Sequence, residues 1–77
     1  MMVSMVNQVV IDANVQGGKP VLRGTRVTVD AVVRALAAGD DVATVARDYR
    51  LTEEQVRAAL AYAAEILGTE RAVALPD

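Results

Sequence analysis

A chain of 77 residues with a net charge of -2 holds one small domain, and a domain of this size buries only about 60% of the surface its unfolded form exposes. It has neither cysteine nor histidine, which excludes disulfides, thiolate metal sites and the commonest acid–base and ligand chemistry. No apolar run approaches the roughly 20 residues that span a bilayer, and no charged N-terminal region leads into an apolar stretch and cleavage site, so a cytoplasmic protein is expected.

Residues Met1 to Asn7 carry little pattern and are expected to fray. Val9-Val10-Ile11 reads as a short strand closed by Asp12, with loop from Ala13 to Gly18. The stretch Gly17 to Val29 then concentrates three of the five glycines and three basic residues, with no acid among them. Gly17-Gly18 permits positive φ and Pro20 pushes Lys19 toward extended geometry, which predicts a defined turn followed by extended chain. Val21-Leu22 and Val27-Thr28-Val29 flank Arg23-Gly24-Thr25-Arg26, which reads as a tight bend presenting two guanidinium groups at one place. Read blandly, it is a structural turn with solvated arginines.

Three helices are predicted next, over about Val29–Ala38, Val42–Tyr49 and Glu53–Leu67. Thr28 is the N-cap of the first, Val29, Val32, Val33, Leu36 and Ala37 form its apolar face, and Gly39 ends it. The second starts at Asp40 or Asp41 and places Val42, Val45, Ala46 and Tyr49 on one face. Thr52 and Gln55 form a capping box at the start of the third, with Leu51 and Val56 as a hydrophobic staple. Val56, Ala59, Leu60, Ala63 and Leu67 are its expected core stripe, and Gly68 is its expected stop. With no Phe, no Trp and two Tyr, the core falls to Val, Leu, Ile and Ala; Val33, Leu36, Val45, Val56 and Leu60 are expected inside it. The organisation is therefore one domain: β segments and basic turn over residues 1–28, a trihelical unit over 29–68 and a mobile tail over 69–77.

Arg50 and Leu51 alone join the second and third helices, a connection that suits a helix-turn-helix. Were the third helix to enter a major groove, Glu53, Glu54, Arg57, Ala58 and Ala61 would lead, with Arg57 able to read guanine and Arg47 and Arg50 set to touch phosphates beside Thr52 and Gln55. The charge distribution weighs against strong phosphate binding. Through Leu36 there are four bases against two acids, but from Ala37 onward four bases face eight acids. Glu53 and Glu54 are explained by the positive end of the helix dipole before any base readout.

Gly-Gly-Lys-Pro-Val-Leu-Arg-Gly-Thr-Arg-Val, the helix ending Leu36-Ala37-Ala38-Gly39, then Asp48-Tyr49-Arg50-Leu51-Thr52 and Val56-Arg57-Ala58-Ala59-Leu60-Ala61-Tyr62-Ala63 resemble the small bacterial domain-of-unknown-function family four-hundred-and-thirty-three, over roughly Val9 to Ala64. The resemblance implies a mainly α, homeodomain-like three-helix bundle preceded by short β segments. It also implies an antitoxin-like role beside a PIN-like ribonuclease toxin.

No catalytic constellation, cofactor motif or metal-ligand set is present in the sequence: the single Ser4 lies in the terminus, and Asp40-Asp41 sits at a helix start where capping explains it. Three classes of function remain. An antitoxin-like module would bind its nuclease through Lys19, Arg23, Thr25 and Arg26, since PIN-like nucleases cluster carboxylates around metal and an arginine fork engages carboxylates bidentately. A transcriptional regulator would bind DNA through Arg47, Arg50, Thr52, Gln55 and Arg57. A structural dimerisation module would need neither. A homodimer is expected from the small size and from extended segments with too few strands to form a sheet within one chain.

Overall fold

The computed structural model describes residues 8–70 of the chain. Two short antiparallel strands, β1 (Val9–Val10) and β2 (Val21–Leu22), precede three helices: α1 (Val29–Ala37), α2 (Val42–Tyr49) and α3 (Glu53–Glu70). The mainly α three-helix architecture with leading β segments is thus the one the patterning predicts. The expected fraying of Met1 to Asn7 and mobility of the last residues concern 1–7 and 71–77, which lie outside the described residues.

Each helix starts where a side chain can take an orphan backbone donor. Thr28 Oγ1 accepts from the Ala31 N–H at 3.0 Å, and Asp41 Oδ1 accepts from the Thr44 N–H at 2.8 Å. At α3 the capping box is reciprocal: Thr52 Oγ1 accepts from the Gln55 N–H at 3.0 Å, and Gln55 Oε1 accepts from the Thr52 N–H at 2.8 Å. The backbone and side-chain hydrogen bonds from Thr44, with a smaller contribution from Arg47, hold the Asp41 carboxyl below its ordinary value of 3.8 against a small opposing effect of burial. A folded-state value below the unfolded one means that this cap stabilises the domain above pH 3.8 and is lost as pH falls through the lower, folded value.

Between α2 and α3 the chain turns through Arg50, which lies in the left-handed region at φ 60° and ψ 45°. Its N–H is directed at the Ala46 and Arg47 carbonyls, and the Leu51 N–H donates to Ala46 O at 2.8 Å, so the last turn of α2 is closed. An L-residue pays roughly 1–2 kcal/mol for that conformation, and glycine does not. After the greater freedom of glycine in the unfolded chain is set against this, Arg50→Gly is expected to raise stability by about 0.5–1 kcal/mol. A higher urea midpoint with an unchanged slope would register it; a lower midpoint would mean that the Arg50 side chain itself supports the turn.

The core is a single cluster of Leu22, Val29, Val32, Val45, Ala46, Leu51, Val56 and Ala59, with Val9, Val33, Leu36, Tyr49 and Tyr62 among the residues packed at its edge. Of the five residues expected inside, Val45 and Val56 are fully buried and Val33 and Leu36 are half-buried against the cluster. Leu60 is a correction: it is 37% exposed. Ala58, expected on the outer face, is fully buried instead. The two exchange because α3 turns its small residues inward, which allows close helix–helix approach, and carries its leucines outward. Its end is a second correction, since α3 continues through Gly68 to Glu70. Gly68 does not take the positive φ of a C-terminal cap, and a glycine inside a helix costs only about 1 kcal/mol relative to alanine.

The extended segments find partners within the chain. Val9 pairs with Leu22, Val10 with Val21, and Val21 bridges Thr28. The need for a second copy to pair them, which motivated the expected homodimer, does not arise there. Among the described residues no helix is long and apolar enough to cross a membrane.

Candidate functional site

The basic turn is built on β2. Leu22 and Val21 are buried, so the backbone that enters the turn is anchored in the core while Arg23 and Arg26 stay exposed. Gly24 has φ 79° at the third position of a four-residue turn closed by the Thr25 N–H donating to Leu22 O at 2.9 Å, a place where a side chain would be strained. Thr25 then locks the bend twice over. Its hydroxyl donates to Leu22 O at 2.8 Å and accepts from the Val27 N–H at 3.0 Å. The Leu22 N–H donates to Val27 O at 2.9 Å, the Val29 N–H to Pro20 O at 3.0 Å, and the Arg23 N–H to Gln8 O at 2.6 Å. From outside, the Gln16 side-chain amide donates to Arg26 O at 3.1 Å.

Of the four residues assigned to partner binding, Lys19, Arg23 and Arg26 are exposed on this frame, and Thr25 is half-buried with its hydroxyl engaged by the frame itself. Thr25 therefore shapes the turn. Among the described residues, Lys19 and Arg26 have no carboxylate partner, whereas Arg34, Arg47 and Arg57 each do. Gln16 is a member of the site that sequence reasoning missed. Its bond to Arg26 spans ten positions that include two turns and β2, and no periodicity signals such a contact.

The residues assigned to DNA line up along α2, the turn and the start of α3. All of Arg47, Arg50, Thr52 and Arg57 are exposed and Gln55 is half-buried. Their polar groups are largely engaged: Arg47 contacts Asp48 at 3.5 Å, Arg57 donates to Glu53 at 3.2 Å, and Thr52 and Gln55 are spent on each other's backbone. The exposed ion pairs are weak and yield to a phosphate, but the capping box does not come free without unravelling the first turn of α3. Arg50 is left as the phosphate candidate with no such engagement among the described residues.

A groove of about 520 Å³ runs between the start of α1 and the second half of α3. Pro20, Val29, Val33, Tyr62, Ile66 and Leu67 form most of its walls, with Lys19 and Asp30 as its charged members. Asp30 is tied to Arg34 at 2.9 Å. Among the described residues no group of three or more His, Cys, Asp or Glu side chains is placed to hold a metal ion.

The sequence matches the family described as "Protein of unknown function (DUF433)" over residues 9–63, which takes in the ribbon, the basic turn and most of the helical unit. A crystal structure of Rv2018 from Mycobacterium tuberculosis is similar to 68% of the chain, at 42% sequence identity and a TM-score of 0.63. The matched part is 24% of that protein, so this chain spans well under half the length of its relative. No curated protein matches the chain.

Proposed function

We propose that this chain, which belongs to the DUF433 family, is the antitoxin-like member of a bacterial toxin–antitoxin pair and that it binds and neutralises a PIN-like ribonuclease in the cytoplasm. The observation that carries the reading is the rigid basic turn. Arg23 and Arg26 project from a bend whose backbone is locked by Thr25, Gly24, Gln16 and the buried Leu22, so little backbone conformational entropy is left to lose on binding. A cluster of carboxylates such as PIN-like nucleases use to hold metal is the complementary surface, because a guanidinium fork meets a carboxylate through two parallel charge-assisted hydrogen bonds.

Repression of its own operon accompanies this activity in the proposal, with Arg47 and Arg50 meeting phosphates and Arg57 placed to read guanine. A stand-alone regulator is the weaker reading, because Thr52 and Gln55 are consumed by the cap and two glutamates head α3. Co-expression of the tagged chain with the product of its neighbouring gene tests both. Copurification of an acid-rich nuclease whose activity is suppressed supports the antitoxin role. No capture of that product, together with salt-sensitive binding to upstream DNA, would replace it by the regulator.

A further inference from the structure

We infer that the outward face of the second half of α3 is a self-association surface, on which a second copy of this chain packs its own α3 antiparallel. This is independent of the nuclease reading. Leu60, Ala64 and Leu67 follow at i, i+4 and i+7, so they form one stripe along the helix, with Ala61 beside it. Leu60 is 37% exposed, Leu67 is 64% exposed, and both alanines are exposed. Away from the stripe Ala58 and Ala59 are fully buried, and so is Val56, one turn before Leu60, where the stripe meets the core. From Ala58 to Leu67 the helix is therefore apolar on both faces, with Glu65 as its one charge, and a helix apolar all round is one that is covered all round.

The spacing and the charges select the occupant. A four-three repeat of apolar positions is the seam by which two helices pack side by side, and alanine within it lets the axes approach to about 8 Å. Toward the N-terminus the same stripe continues through Arg57 and Glu53, with Glu54 next to it. Parallel copies would set these glutamates against one another. In the antiparallel arrangement Leu60 faces Ala64 of the second copy, and Arg57 reaches Leu67 of the second copy, close to the negative C-terminal end of that helix, where a cation is favoured. The stripe is complementary to itself in that orientation. A stable interface removes on the order of 1,000 Å² from water, more than three turns of helix supply. Leu67 is also a wall of the groove of about 520 Å³, so the contact surface runs on from the stripe to the exposed Ile66 beside it.

Sedimentation velocity on the full chain tests this, with circular dichroism as the folding control. The unaltered protein is expected to show a concentration-dependent monomer–dimer equilibrium. Leu60→Glu and Ala64→Glu should each raise the dissociation constant at least about 30-fold, because each places an unpaired carboxylate in an apolar seam, with helicity unchanged. Ala43→Glu, on the exposed side of α2, should leave association intact. Mixing Leu60→Lys with Ala64→Glu should restore association, since only antiparallel packing puts those two substitutions face to face. A monomer at the highest soluble concentration, or seam variants that associate like the unaltered chain, would overturn the proposal, and a mixture that stays monomeric would overturn its antiparallel geometry.

Discussion

If the chain neutralises a nuclease as proposed, replacing Arg23 and Arg26 together by alanine is expected to weaken that binding strongly while the domain stays folded. Both side chains are exposed, so stability should change by no more than about 0.5 kcal/mol, the range of surface substitutions. Binding should weaken by on the order of 2–5 kcal/mol, roughly 30- to 5,000-fold, because the partner's carboxylates would be left desolvated and unpaired. Thr25→Ala provides the contrast. It keeps both guanidinium groups but removes the hydroxyl that joins Leu22 O to the Val27 N–H, so a loss of about 1–2 kcal/mol in stability should accompany any loss of binding. Arg26→Lys keeps the charge and loses the fork, and an intermediate affinity is expected if the contact is bidentate. Calorimetry of each purified variant with the nuclease, beside a urea titration of the variant alone, separates these outcomes. Full-strength binding by the folded double variant would refute the role assigned to the turn and would move the search to the C-terminal residues 69–77.

The beginnings of the helices were legible because their signals are local. Thr28, Asp41 and the Thr52–Gln55 box each act within three residues, and each appears in the structure as the hydrogen bond its residue type implies. The inner face of α3 was not legible to the same degree. Periodicity picks a face only when the other side is polar, and between Ala58 and Leu67 it is not, so the pattern points Leu60 inward and Ala58 outward, the reverse of what the packing selects. Gly68 illustrates a different limit, since a glycine near a helix end signals a stop only when the chain takes positive φ there. The bend at Arg23–Arg26 and the freedom needed at Gly17, Gly18 and Gly24 were readable from turn chemistry. The pairing of Val9–Val10 with Val21–Leu22 was not. Two-residue strands joined across residues 11–20 have no local register signal, and their alignment is decided by Leu22 entering the core.

Leu22→Ala should produce the largest loss of stability of any substitution considered, about 2–5 kcal/mol, and toward the upper end of that range. Leu22 is fully buried and is the largest side chain that is, in a core otherwise made mainly of valine and alanine. The cavity left by its truncation would open in a cluster rich in buried valines, Val29, Val32, Val45 and Val56, whose branched side chains have few alternative rotamers with which to fill it. A domain of 77 residues has a total of roughly 4–11 kcal/mol, so the loss removes a large fraction of it and lowers the melting temperature by about 10 °C or more. The measurement also decides whether the N-terminal ribbon belongs to the folding unit. If it were an appendage, thermal melting followed by helical circular dichroism would hardly move, because no helix would have lost a packing partner. Leu22 instead sits in the same cluster as residues of α1, α2 and α3, so one cooperative transition at lower temperature is expected. Loss of the Leu22 side chain also loosens the strand whose carbonyl holds Thr25, so nuclease capture should fall together with folding. The paired arginine substitutions should instead remove capture and leave the melting curve in place.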